Sequence, residues 1–219
     1  MKITDGLHAF PWTSMSANNC NTYLIDGPAK ILIDPGHLSF FPHVAAQLNA
    51  LGIDIGDIDL IVATHGHPDH FEAARYFKNQ PALFAVGFED WQLIRRRLEQ
   101  AGPASGLEDY TPDFFLGPGS LTVKGVELTV VACPGHSPGS VALYWPERKA
   151  LFPGDVIFRD GLGRTDLPGG NGAVLKKSIR ELATLDSELL LPGHGDIVRG
   201  ADQVRANFKR VESYWFNYI

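Results

Sequence analysis

The chain has 219 residues, enough to bury a substantial core. Hydrophobic residues make up 44% and charged residues 20%, which excludes a disordered polymer. A net charge of −6 argues against a diffuse polyanion binder, and the two cysteines, Cys20 and Cys133, are too few for a disulfide scaffold or a four-cysteine zinc site.

The N-terminal stretch "MKITDGLHAFPWTSM" lacks the apolar segment of a signal peptide. No apolar run approaches the roughly 18–20 residues that span a bilayer. These features predict a cytoplasmic protein with two reduced thiols and no membrane partner. "LHAFPW", "CNTYLID" and "AKILIDPG" read as strands, with β-branched and aromatic residues between Gly, Pro and Asp. "FPHVAAQLNALG" reads as a helix with Val44, Leu48 and Leu51 on one face and Gly52 as its stop. "DIDLIVAT" reads as a buried strand running into "THGHPDH", and "HFEAARYFKNQ" continues as a helix. "ALFAV" is strand-like, and "EDWQLIRRRLEQAG" is helical, with Trp91, Ile94 and Leu98 on one side. Residues 101–118 read as a long loop over one face.

Strands return in "SLTV", "VELTVVA", "SVALYW" and "KALFP". "AVLKKSIRELATL" is a helix with Leu175, Ile179 and Leu182 inward, and "ELLLPG" is a strand leading to "HGD". "ADQVRANFKRVESYW" closes the chain as a helix with Val204, Phe208, Val211 and Trp215 inward. No linker interrupts the pattern, so residues 1–219 read as a single domain. Two packed sheets flanked by helices accommodate it, as does a doubly wound sheet.

Of the eight histidines, five share one setting, after an apolar strand and beside Gly or Pro: "LIVATHGHPDH", "VVACPGHSPGS" and "LLLPGHGD". Asp155 repeats the setting in "ALFPGDV". Strand ends that present polar side chains from loops are where folds build sites. Imidazole and carboxylate are ligands for Zn(II), Fe(II) or Mn(II), and a catalytic metal takes three protein ligands and keeps an open position. His65, His67, Asp69, His70, His136, Asp155 and His194 are too many for one such metal and fit two sharing a carboxylate. Gly66 and Pro68 supply the bend that brings His65 and His67 together. His8, His37 and His43 lack the setting and read as bystanders.

"THGHPDH" with "PGHSPGS", "FPGDV" and "LPGHGD", in that order over nearly the whole chain, resembles the metallo-β-lactamase-fold hydrolases. The resemblance implies an α/β (α+β) fold, a four-layer αββα sandwich with the metals at one edge. It implies two divalent ions, taken here as zinc with iron or manganese as alternatives. His65, His67 and His136 would hold the first and Asp69, His70 and His194 the second, with Asp155 bridging. Asp69 and Asp155 would also orient the nucleophile. One scaffold carries many functions, so antibiotic hydrolysis does not follow.

"GLGRTDLPGGN" looks like a segment of short glyoxalase II-like hydrolases, and persulfide dioxygenases carry a related "GRTD". Arg164 would then hold a substrate carboxylate, or brace the loop against Asp166. Tyr110 is a candidate for the substrate groove, with core packing the alternative. Arg95, Arg96 and Arg97 are consecutive and point around their helix as surface. Cys133 reads as a small buried residue. The expected activity is metal-dependent hydrolysis of a thioester or related acyl compound, possibly glutathione-linked, with no nucleic-acid partner. The alternatives are a mononuclear-iron persulfide dioxygenase using His65, His136 and Asp155, and a dinuclear phosphodiesterase.

Overall fold

The computed structural model describes residues 1–102 and 105–219. These divide into two compact units: Met1–Leu116 with Val123–Val126, and Gly117–Thr122 with Glu127–Ile219.

The first unit is built on a sheet that, among the described residues, has seven strands in chain order: β1 (Lys2–Thr4), β2 (Leu7–Phe10), β3 (Thr22–Asp26), β4 (Lys30–Ile33), β5 (Leu60–Val62), β6 (Leu83–Gly87) and β7 (Phe114–Leu116). β1 to β4 run antiparallel, and β4 to β7 run parallel. Consecutive residues Tyr23, Leu24, Ile25 and Ile31, Leu32, Ile33 are buried, so β3 and β4 are covered on both faces. Helices α1 (Phe41–Ala50), α2 (Pro68–Phe71) and α3 (Phe88–Gln100) supply the crossovers. Their apolar faces, among them Phe41, Val44, Leu48, Trp91 and Ile94, join Leu24, Leu32 and Ile61 in one core.

The second unit carries a sheet in the order β15-β14-β11-β10-β9-β8, from β8 (Gly119–Val123), β9 (Val126–Ala132), β10 (Val141–Trp145), β11 (Ala150–Gly154), β14 (Leu189–Pro192) and β15 (Val198–Arg199). A small hairpin, β12 (Ile157–Phe158) and β13 (Gly161–Leu162), leaves the end of β11. Helices α4 (Gly172–Leu182) and α5 (Ala201–Trp215) pack Leu175, Ile179, Leu182, Val204, Phe208 and Val211 onto Leu151 and Leu190. Asn171 caps α4, its side-chain oxygen accepting from Val174 N at 3.1 Å.

Four expectations are corrected. The helix after His70 is short: α2 ends at Phe71 and Glu72–Phe77 tightens into a 3-10 helix. The Ala73 N–H donates to the Gly36 carbonyl at 2.8 Å, which removes an α-type bond from that turn. Residues 101–118 are not all loop, because they hold β7 and the 3-10 turn Leu107–Tyr110; positions 103–104 lie outside the described residues. Leu51 follows α1 and is 40% exposed. Trp215 is 36% exposed, and Phe216 takes the inward place instead. Among the described residues, no helix is long and apolar enough to cross a membrane.

Candidate metal centre

In the first unit, the site is assembled by loops that follow three neighbouring parallel strands. In open α/β sheets, such carboxyl ends are where ligands bind. The loop after β5 carries "THGHPDH". His67 is the extended residue before α2, and Pro68 occupies the first turn, where its missing N–H costs nothing. Asp69 follows in that first turn, where the helix dipole favours a carboxylate. Asn18 Nδ2 donates to Asp69 Oδ2 at 2.7 Å. His65 Nε2 faces His67 Nδ1 at 3.1 Å, and Asp69 Oδ2 lies 3.9 Å from His70 Nε2. The donor atoms of His65 and His70 lie within 4.8 Å of each other.

The loop after β4 supplies Asp34, which the sequence reading missed. Asp34 is 1% exposed and adopts φ 54°, a region a non-glycine residue enters at a cost. Its Oδ1 accepts from Thr64 N at 2.7 Å. Its Oδ2 accepts from Thr64 Oγ1 at 2.8 Å and from His70 Nδ1 at 2.9 Å. A carboxylate only accepts, so the Thr64 hydroxyl points its proton at Asp34 and offers a lone pair to His65 Nδ1, 3.1 Å away. Asp34 thereby fixes both His65 and His70 as the Nδ1–H tautomer and leaves each Nε2 as the nitrogen that could bind a cation, the usual arrangement for a metal-binding histidine. β6 runs directly into α3, whose first turn holds Asp90 fully buried, and Asp90 Oδ2 accepts from Gly66 N at 2.6 Å. That bond pins the turn between His65 and His67. The signal for Asp34 was legible: "ILIDPG" has the same strand-end setting as the ligands. Asp90 sits within a helix and carries no such mark.

In the second unit, β11 and β14 are parallel neighbours, and Asp155 and His194 follow their ends. His136 follows β9. One oxygen, Asp155 Oδ2, lies 3.3 Å from His194 Nε2 and 3.7 Å from His136 Nε2. His136 Nδ1 donates to the Arg164 carbonyl at 2.8 Å, which again leaves Nε2 as the nitrogen that could bind a cation. The donor set passes a chemical test for a divalent cation. Two imidazole nitrogens on one tetrahedral zinc, each at about 2.0–2.1 Å, sit about 3.3 Å apart. The His65–His67 separation of 3.1 Å is close to that value.

The remaining candidates fall elsewhere. The Arg164 guanidinium forms a bidentate pair with Asp166, at 2.8 and 2.7 Å, and both side chains are exposed. Its hydrogen bonds hold the Asp166 carboxyl down at about 2. Tyr110 is 5% exposed and packs edge-on against Phe71 in the core, 5.4 Å between ring centres, and burial pushes its phenol pKa up. His8 lies 3.8 Å from Asp26, His43 bonds Gln47 at 2.9 Å, and His37 pairs with Glu72 at 2.8 Å. Arg95, Arg96 and Arg97 are exposed, as expected. Cys20 and Cys133 are buried thiols, and Cys133 belongs to the second core.

Imidazole and carboxylate donors gathered at strand ends, with tautomers fixed by carboxylate, hydroxyl and carbonyl acceptors, are the donor set of a metal-binding protein of mixed α/β architecture. Residues 15–194 match the model of the metallo-β-lactamase superfamily, and the chain belongs to that superfamily. The hydroxyacylglutathione hydrolase GloC of Haemophilus influenzae is 29% identical over 202 residues, 86% of this chain and 91% of that protein. The crystal structure of a metallo-β-lactamase family protein from Thermus thermophilus superposes with a TM-score of 0.82 at 22% identity, covering 98% of this chain and 80% of the other. The crystal structure of TTHA1623 in a di-iron-bound form gives a TM-score of 0.70 at 32% identity, covering 86% and 93%. The fold is therefore the metallo-β-lactamase fold, as the motifs implied, and the chain belongs to a superfamily of metallo-hydrolases.

Proposed function

We propose that this protein hydrolyses a thioester or closely related acyl compound with the help of two divalent cations. His65, His67 and His136 would hold one ion and Asp69, His70 and His194 the other, with Asp155 serving both. The assignment rests on the motif order and on the geometry within each unit. The single observation that carries it is the place of Asp155 Oδ2, within 3.7 Å of both His136 Nε2 and His194 Nε2, the partners assigned to different ions. Zinc suits this nitrogen and oxygen set, and iron and manganese suit it too. We take residues 1–219 as one functional domain, since the family match runs through both units.

When bound, such cations lower the pKa of a coordinated water toward neutrality and polarise a carbonyl. The protein's own residues do the rest. Asp34, Thr64, Asp90 and the Arg164 carbonyl fix the ligands before substrate arrives, so little reorganisation accompanies the reaction. Asp69 and Asp155 accept hydrogen bonds from the attacking water and set its direction. A thiolate leaves without a general acid. Arg164 would release Asp166 to meet a substrate carboxylate, which guanidinium binds bidentately. Tyr110, with its ring in the core, is not carried forward as a substrate contact.

A glutathione-linked substrate is supported by the likeness to GloC and by "GLGRTDLPGGN". Reduced buried thiols fit a cytoplasmic location. The test is a panel of S-lactoylglutathione, other thioesters, lactones and phosphodiesters, assayed with zinc-, iron- and manganese-loaded protein. Thioester turnover that outruns the other classes supports the proposal. Oxygen uptake with glutathione persulfide by the iron form, without thioester turnover, would replace it with the dioxygenase reading, for which the di-iron form of TTHA1623 is a reason to include iron.

A further inference from the structure

The segment "GLGRTD" begins as β13 of the small hairpin in the second unit, and Gly163 is buried in it. A Cβ at Gly163 would fall 1.9 Å from the backbone oxygen of Asp155 and 2.8 Å from His136 Nδ1. Neither distance is tolerable, and the first obstacle is main chain, which has nowhere cheap to move. The next residue, Arg164, turns its carbonyl onto His136 Nδ1 at 2.8 Å, while its guanidinium points to solvent and Asp166. The absent side chain at Gly163 is thus what lets the strand of backbone pass close enough for that bond.

We propose that Gly163 and the main-chain carbonyl of Arg164 form the positioning element for His136. They lock the imidazole as the Nδ1–H tautomer and hold it beside Asp155, so that the segment acts on the metal centre through its backbone. The role of the Arg164 side chain is then separate, and confined to substrate or to the Asp166 brace. Outer partners of metal-bound histidines typically change affinity by roughly 10–100-fold when removed. This inference rests on the metal-binding reading of His136, but its core is a statement about the ring itself, which is testable without metal.

The experiment uses full-length protein labelled with 15N-histidine and stripped of metal, with the His136 signals identified by His136→Gln. Long-range nitrogen–proton correlations should show His136 as the Nδ1–H tautomer. Observation of the Nε2–H form or of a rapidly exchanging mixture would overturn the proposal. In a second arm, zinc affinity is measured for Gly163→Ala and Arg164→Ala, with circular dichroism reporting the fold. Gly163→Ala should lose roughly 10–100-fold in affinity, while Arg164→Ala, which keeps its carbonyl, should match wild type. A folded Gly163→Ala protein with wild-type affinity would overturn the proposal, and if that variant does not fold, the tautomer decides. A wild type that takes up no metal, yet shows the Nδ1–H tautomer, would leave this inference standing and remove the proposed function.

Discussion

Asp155 Oδ2 lies 3.3 Å from Nε2 of His194, and the same oxygen is 3.7 Å from His136. A carboxylate so placed can serve two cations at once, whereas each histidine serves one. Asp155→Ala should therefore weaken both sites, and His194→Ala should chiefly empty one. Metal analysis after equilibrium dialysis checks this, and two normally filled sites in Asp155→Ala would exclude the bridging role.

Asp34 accepts from Thr64 N, Thr64 Oγ1 and His70 Nδ1 while almost wholly buried. Removing the carboxylate strands buried donors, at about 1–3 kcal/mol for each one left unsatisfied. Asp34→Ala should lower the urea midpoint and weaken metal binding together. Asp34→Asn, which keeps an acceptor oxygen, should lose less of both. Stability unchanged in Asp34→Ala would show that this network contributes nothing.

Much of this was legible in the sequence. The strand-end rule picked out the candidate ligand motifs because each motif follows an apolar run, where the chain leaves the sheet. The partners that orient those ligands were not found, for a physical reason. Asp34 and Asp90 reach the "THGHPDH" loop from the ends of adjacent parallel strands, and that adjacency is a matter of sheet register rather than of spacing along the chain. The Arg164 carbonyl carries no sequence signal, since every residue has one. The turn from α to 3-10 after Phe71 depends on a bond from Ala73 to Gly36, again a distant partner. Trp215 was placed inward by helical period, but Phe216 fills that place and the Trp215 indole N–H donates to Asp160 O at 2.7 Å instead.

The Arg164–Asp166 pair is fully exposed, so its effect on stability should be slight despite the low Asp166 pKa. The sign is that of any depressed carboxylate: the contribution is complete above the ordinary value of 3.8 and is lost as pH falls through about 2. At neutral pH, Arg164→Ala should leave the melting temperature unchanged. If Arg164 contacts substrate, KM for carboxylate-bearing thioesters should rise with kcat largely retained. A parallel loss for all substrates together with a lower melting temperature would identify a loop brace.

His8 and His43 stand apart from the ligand set, so His8→Gln and His43→Ala should keep full metal content. Burial is the main cause that lowers the His8 pKa below its ordinary 6.5. The neutral ring is thus the one the fold favours, and the stability it contributes is present above about pH 6.5 and lost as pH falls through the lower folded value. His8→Gln should flatten that acid-side decline in denaturation curves recorded across pH 5–7. Loss of a metal equivalent in either variant would mean that the ligand set is drawn wrongly.

The central claim is that seven side chains hold two divalent cations on which hydrolysis depends. Calorimetric titration of metal-free protein with zinc, with thioester hydrolysis assayed on samples withdrawn along the same titration, tests it most directly. The account predicts two equivalents bound per chain, activity that rises with them, and loss of one equivalent and of the activity in His65→Ala or His136→Ala. Full hydrolysis in rigorously metal-free protein, or zinc uptake unchanged in both variants, would contradict it.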